Sequence, residues 1–142
     1  MDINYMQVCQ DLLGAQRESY RRETRQETRL GEIDRRLRIL ASAISSQRPT
    51  EILAGCGIQE SKYDNNVLNA TIIFEISVSQ KSVSLYINIS VPEDESVEPK
   101  LSYENVDGVT KLLNYGEFSE VMIIDELRSL LSRSDKKVFS RS

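Results

Sequence analysis

The chain has 142 residues and a mass of 16.2 kDa, 39% hydrophobic and 28% charged, which is the size and composition of one soluble globular domain. It contains no histidine, so mechanisms that use an imidazole as base, proton shuttle or metal ligand are excluded, Ser-His and Cys-His nucleophile activation among them. The net charge of -4 conceals an asymmetry. Residues 14–48 hold nine arginines against five acids, whereas residues 91–126 hold ten acids against Lys100 and Lys111. Two such opposed fields can steer association or align one chain on another, and on helices they also serve as plain solvated faces.

Cys9 and Cys56 make no disulfide framework and cannot alone complete a zinc site, so no metal and no cofactor is expected and the setting reads as reduced and intracellular. No apolar run approaches the ~18 residues that cross a bilayer, and nothing at the start resembles a signal peptide. The sequons at Asn69 and Asn88 fall inside strand-like segments and read as chance.

In chain order, the first 46 residues lack proline, and Leu30, Ile33, Leu37, Leu40 and Ile44 follow a 3,4,3,4 spacing that puts them on one helical stripe. The same register continues backward through Leu12, Cys9 and Tyr5, interrupted by Gln16, Ser19, Glu23 and Gln26. Residues 1–46 are therefore expected to be a helical oligomerisation segment, with the Leu30-to-Ile44 stripe as the seam of a coiled coil. A continuous helix from Asn4 to Ser45 would be about 60 Å long, too long to lie wholly on a core built from the rest of the chain. It must project, pair or break, and Gly14 offers a place to break.

Pro49 suits the first turn of a short helix to Leu53, closed by Gly55 and Gly57. The Gly55-Cys56-Gly57 triplet lacks the helix, Lys and Ser/Thr of a phosphate loop, and Cys56 reads as a buried structural thiol. Ile72, Phe74, Ile76 and Val78, then a turn at Ser79 to Ser82, then Val83, Leu85, Ile87, Ile89 and Val91 describe an antiparallel hairpin with one apolar and one polar face. Weaker strands at Gly57–Tyr63 and Lys100–Val106 flank it, giving a four-stranded meander. Phe118, Val121, Met122, Ile124, Leu127, Leu130 and Leu131 form a helix that covers the apolar face. The α+β head spans residues 49–132, and 133–142 form a basic, serine-rich tail. On the outward face of the hairpin, Ile73 and Tyr86 interrupt the polar pattern, and they are the candidate partner-binding residues.

The segments Ile52-Leu53-Ala54-Gly55-Cys56-Gly57-Ile58 and Leu113-Asn114-Tyr115-Gly116-Glu117-Phe118, in this order of elements, resemble the helix–strand junction and the entry to the last helix of RWD-like heads. Such heads follow coiled coils in kinetochore proteins: the monopolin subunit family, the globular ends of the outer-kinetochore microtubule-binding complex and a spindle-checkpoint coiled-coil protein. The resemblance implies a non-catalytic protein-interaction module, homo- or heterodimeric through its helix, in chromosome-segregation assembly. It implies a nuclear location, the cytoplasm being the alternative without it. The expected partner is a protein rather than membrane or nucleic acid, because glutamates interleave the Arg-rich helix. The alternative is an acidic α+β chaperone, similar to those of type III secretion, that binds an effector segment. An enzyme would need carboxylates converging in a pocket, and the acids here fall in loops and on helix surfaces.

Overall fold

Alternation and helical spacing along the chain resolve into seven elements and one short turn in a computed structural model that describes residues 2–47 and 52–140, the side chains of 22 and 134–140 aside. The long helix α1 runs Tyr5–Ser45, unbroken through Gly14 and Gly31, with the Asn4 side chain accepting from the Gln7 backbone N–H as its N-cap. Five strands follow: β1 Ile52–Asp64, β2 Val67–Val78, β3 Lys81–Val91, β4 Lys100–Glu104 and β5 Thr110–Asn114. A 3₁₀ turn at Tyr115–Glu117 leads to helix α2, Glu120–Ser140. The sheet is an antiparallel meander in the order β1-β2-β3-β4-β5.

Three expectations change. The sheet has five strands rather than four: Asn105 accepts from the N–H groups of Asp107 and Val109, Gly108 takes φ +81°, and the chain turns back into β5. The expected short helix begins at residues outside those described, and by Ile52 the chain is already strand, so Gly55 and Gly57 lie within β1 rather than closing a helix. At the other end α2 continues through the expected tail to Ser140.

The hairpins have local causes. Asn65 and Asn66 both adopt positive φ, 49° and 64°, which matches the twist of the flanking strands and suits asparagine. Ser79 at φ 57° does the same between β2 and β3. A register shift between Ile58 and Glu60 puts a bulge in the edge strand β1.

Both helices lie on one face of the sheet, α1 over β1 to β3 and α2 over β3. Leu68, Ile72 and Phe74 of β2, Ile87, Ile89 and Val91 of β3 and Leu101 of β4 point inward and are fully buried with Ile33 and Leu37 of α1 and Ile123 of α2. The boundary expected near residue 46 thus falls inside one hydrophobic core, because the second half of α1 is part of it.

Polar contacts fix the helices in place. Gln26, buried, donates to the carbonyls of Asn66 and Val91 at 2.8 and 3.0 Å and marks where α1 meets the head. Arg29 donates to the carbonyls of Pro92 and Val97, and Arg25 lies 3.3 Å from Glu95, so arginines of α1 hold the acidic loop before β4. Arg36 pairs with Glu120 and stacks over Phe118, 4.6 Å from the ring centroid, joining α1 to the start of α2. The opposed fields of the sequence meet within the chain at these points.

Candidate partner-binding surface

Alternation along β2 and β3 decides which side chains leave the core. With Ile72 and Phe74 inward, Ile73 points outward, and with Leu85 and Ile87 inward, so does Tyr86. The two are direct cross-strand partners. Tyr86 is 52% exposed and Ile73 half-buried. On the other side of Ile73 its β1 partner is Gly57, where the Arg38 guanidinium lies 3.8 Å from the position a Cβ would take. The structure therefore brings the two sequence-derived candidates together on a sheet face that neither helix covers.

The next row along the strands is Glu60, Thr71, Asn88, Ser102 and Leu112, one residue from each strand. It lies about 7 Å from the Ile73–Tyr86 pair, two residues along a strand. A shallow cavity of about 380 Å³ lies there, walled by Lys62, Asn69, Asn88, Lys100 and Leu112. Thr71 Oγ1 donates to Asn88 Oδ1 at 3.0 Å across its floor. Leu112, 70% exposed, and Leu53 at the far end of β1 add apolar surface to the same face. Reading the sequence missed both: Leu112 belongs to the unrecognised β5, and Leu53 was assigned to a helix. The Asp107-Gly108 pair was the available signal for that last hairpin. The arrangement offers an aromatic and aliphatic contact beside amide and hydroxyl groups, which suits an extended peptide or loop carrying an apolar side chain.

The proposed oligomerisation residues lie elsewhere than expected. Leu30, Ile33 and Leu37 are buried against the chain's own sheet, and Leu40 and Ile44 are half-buried against the same core. A stripe of this spacing fits a sheet as well as a partner helix, and here the sheet takes it. These residues are not a free coiled-coil seam. The exposed apolar side chains of α1 are Tyr5, Met6, Val8, Leu12, Leu13, Tyr20 and Ile39, all but the last from the part of the helix before Gln26.

Cys56 faces inward from β1, half-buried near Asp34 and Arg38. Burial, with a further contribution from the Asp34 carboxylate, pushes its thiol up to about 12. Asp34 accepts from Arg38 Nε at 2.7 Å through one oxygen, and its other oxygen has no hydrogen-bond partner. A thiol held protonated is a poor nucleophile. At pH 8 iodoacetamide should therefore alkylate exposed Cys9 in the folded chain and reach Cys56 only after unfolding in urea; equal rates at both positions would contradict the burial. Among the described residues no group of three or more His, Cys, Asp or Glu could hold a metal ion. No described helix is long and apolar enough to cross a membrane.

Comparison with known proteins finds no family model, no curated protein and no solved structure that matches this chain.

Proposed function

We propose that the chain is a non-catalytic protein-interaction module that pairs through α1 and binds a protein partner on the open face of its sheet. The observation that carries this reading is the Ile73–Tyr86 pair, a half-buried isoleucine beside an exposed tyrosine on a face that no described element covers, next to a polar concavity. Tyrosine is enriched at binding hot spots because it combines a rigid apolar ring with a hydrogen-bonding tip. Assembly at kinetochores is the setting suggested by the RWD-like segments at residues 52–58 and 113–118, and that part of the proposal rests on sequence resemblance alone.

The test is capture from native extract with the full chain as bait, comparing the unmutated protein with the double variant Ile73→Ser, Tyr86→Ser. Loss of about tenfold or more in the captured partner, at unchanged melting temperature, is expected. A hot-spot loss of ~2 kcal/mol alone implies a larger factor than that. Undiminished capture would remove the sheet face as the site. Recovery of kinetochore subunits would support the setting, and recovery of a secreted effector would favour a chaperone.

A further inference from the structure

The part of α1 before the head carries exposed apolar side chains that no described residue covers. Tyr63 donates to the Glu23 carbonyl and Gln26 anchors to the sheet, so the head begins at about residue 23. Tyr5, Met6, Val8, Leu12, Leu13 and Tyr20 are exposed ahead of it, on about five turns of helix.

Tyr5, Val8 and Leu12 point the same way as the face buried further along, whereas Met6, Leu13 and Tyr20 lie about a third of a turn round the helix. Leu12 and Leu30 are 18 residues apart, about five full turns, and Val8 and Ile33 are 25 apart, about seven. The side of the helix that rests on the sheet in its second half is therefore apolar again on the overhang, at Tyr5, Val8 and Leu12, beyond the polar positions Gln16, Ser19 and Glu23. Whatever covers the overhang must occupy the space level with the head, beyond the end of the sheet.

We infer that the occupant is the same overhang of a second copy, running antiparallel. Two arguments select it. In a parallel pair the two apolar faces would meet along the dimer axis, and a few turns later each helix would have its own sheet on that axis, so the two heads would collide. An antiparallel pair puts the heads at opposite ends, and each overhang fills the space beside the other copy's head. The second argument is charge. Residues 1–13 carry Asp2 and Asp11 and no basic side chain, while residues 14–22 carry three arginines against Glu18. Parallel pairing sets like charge on like charge along the whole overlap; antiparallel pairing sets the acidic half on the basic half. Full overlap of the two overhangs centres on Leu12 and Leu13, and it places Cys9 of one copy level with Gln16 of the other. The inference rests on the reading of α1 as a pairing element and is independent of the sheet-face site.

The test is the mass of the full chain in solution. Light scattering at tens of micromolar should give twice the chain mass, and Leu12→Asp should give the chain mass with the cooperative unfolding of the head retained, because Leu12 is exposed ahead of the head. Orientation is read in a Cys56→Ala background under mild oxidation. Gln16→Cys should join two chains through Cys9 of one and the introduced thiol of the other, located by peptide mass mapping, while the parent with Cys9 alone should not cross-link. A disulfide between the two Cys9 residues would overturn the antiparallel arrangement. A monomer at every concentration, or a dimer indifferent to Leu12→Asp, would overturn the second copy as occupant. If the isolated chain is monomeric but Leu12→Asp abolishes capture of a different chain, pairing through α1 stands and only the self-pairing fails. The Ile73→Ser, Tyr86→Ser variant should leave the mass unchanged.

Discussion

Leu37→Asp should leave the chain unfolded, not merely monomeric. Leu37 is fully buried among α1 and the inner sheet face, and removing a buried leucine side chain costs about 2 to 5 kcal/mol by itself. The carboxylate adds a further penalty of several kcal/mol, since it would be charged or protonated in an apolar site without a partner. Domains of this kind have about 5 to 15 kcal/mol in total, so the sum reaches the whole stability of the fold. Circular dichroism should show loss of the cooperative thermal transition. The milder Leu37→Ala, measured by urea unfolding, should lose about 2 to 5 kcal/mol and stay folded. A well-folded Leu37→Asp with normal melting would mean that α1 does not dock on the sheet. Set beside Leu12→Asp, which on the pairing proposed above should change only association, this variant separates docking of α1 from the proposed pairing.

The division of α1 shows how far the sequence could be read. Its stripe was plain in the spacing of Leu30, Ile33, Leu37, Leu40 and Ile44, but spacing describes one face only and is silent on what lies opposite. A coiled-coil partner and a sheet make the same demand for apolar side chains every three or four residues. The polar break at Gln16, Ser19, Glu23 and Gln26 held more information than the stripe: Gln26 is polar because it satisfies two backbone carbonyls where the sheet begins. The β2–β3 hairpin was legible throughout because its strands are long and half-buried, so alternation fixed both register and the outward positions of Ile73 and Tyr86. Strand β5 was not, since only Leu113 of its five residues is buried and no alternation can be seen in Thr110 to Asn114. Gly55 and Gly57 misled because glycine commonly stops helices, whereas on the edge strand β1 they are tolerated.

The charge asymmetry was correctly located but its use was not. Opposed blocks in one chain suit alignment of two molecules and equally suit the closure of one. Arg25 with Glu95 and Arg36 with Glu120 follow the second course. These pairs are largely exposed at their charged ends and contribute little stability individually. Their consequence is geometric: they fix α1 against the acidic loop and the start of α2, and so fix the direction in which the overhang leaves the head. Arg17 and Arg21 lie ahead of the head, where the antiparallel pairing proposed above would use them.

Ile123→Ala should cost about 2 to 5 kcal/mol, and Ile124→Ala, one residue later, about 1 kcal/mol. Val121, Met122, Ile123 and Ile124 are four apolar residues in succession, so helical periodicity alone cannot choose among them, and reading the stripe through Val121 and Ile124 turned the helix by too much. The burial settles the choice: Ile123 and Leu127 are fully inside, Met122, Leu130 and Leu131 pack around them, Ile124 is half-buried and Val121 is 62% exposed. Ile87 on β3, the strand beneath this helix, should match Ile123 when cut to alanine, because both lie in the layer where α2 meets the sheet. Urea midpoints at constant m-value would give the three figures directly. Equal losses at Ile123 and Ile124 would mean that α2 is rotated by about 50°, roughly a seventh of a turn, from its described position, which would also move Val121 toward the sheet while Leu127 stayed inside. A loss confined to Ile123 and Ile87 would fix the covered face of the sheet, and with it the identity of the opposite face, on which Ile73 and Tyr86 are free to meet a partner.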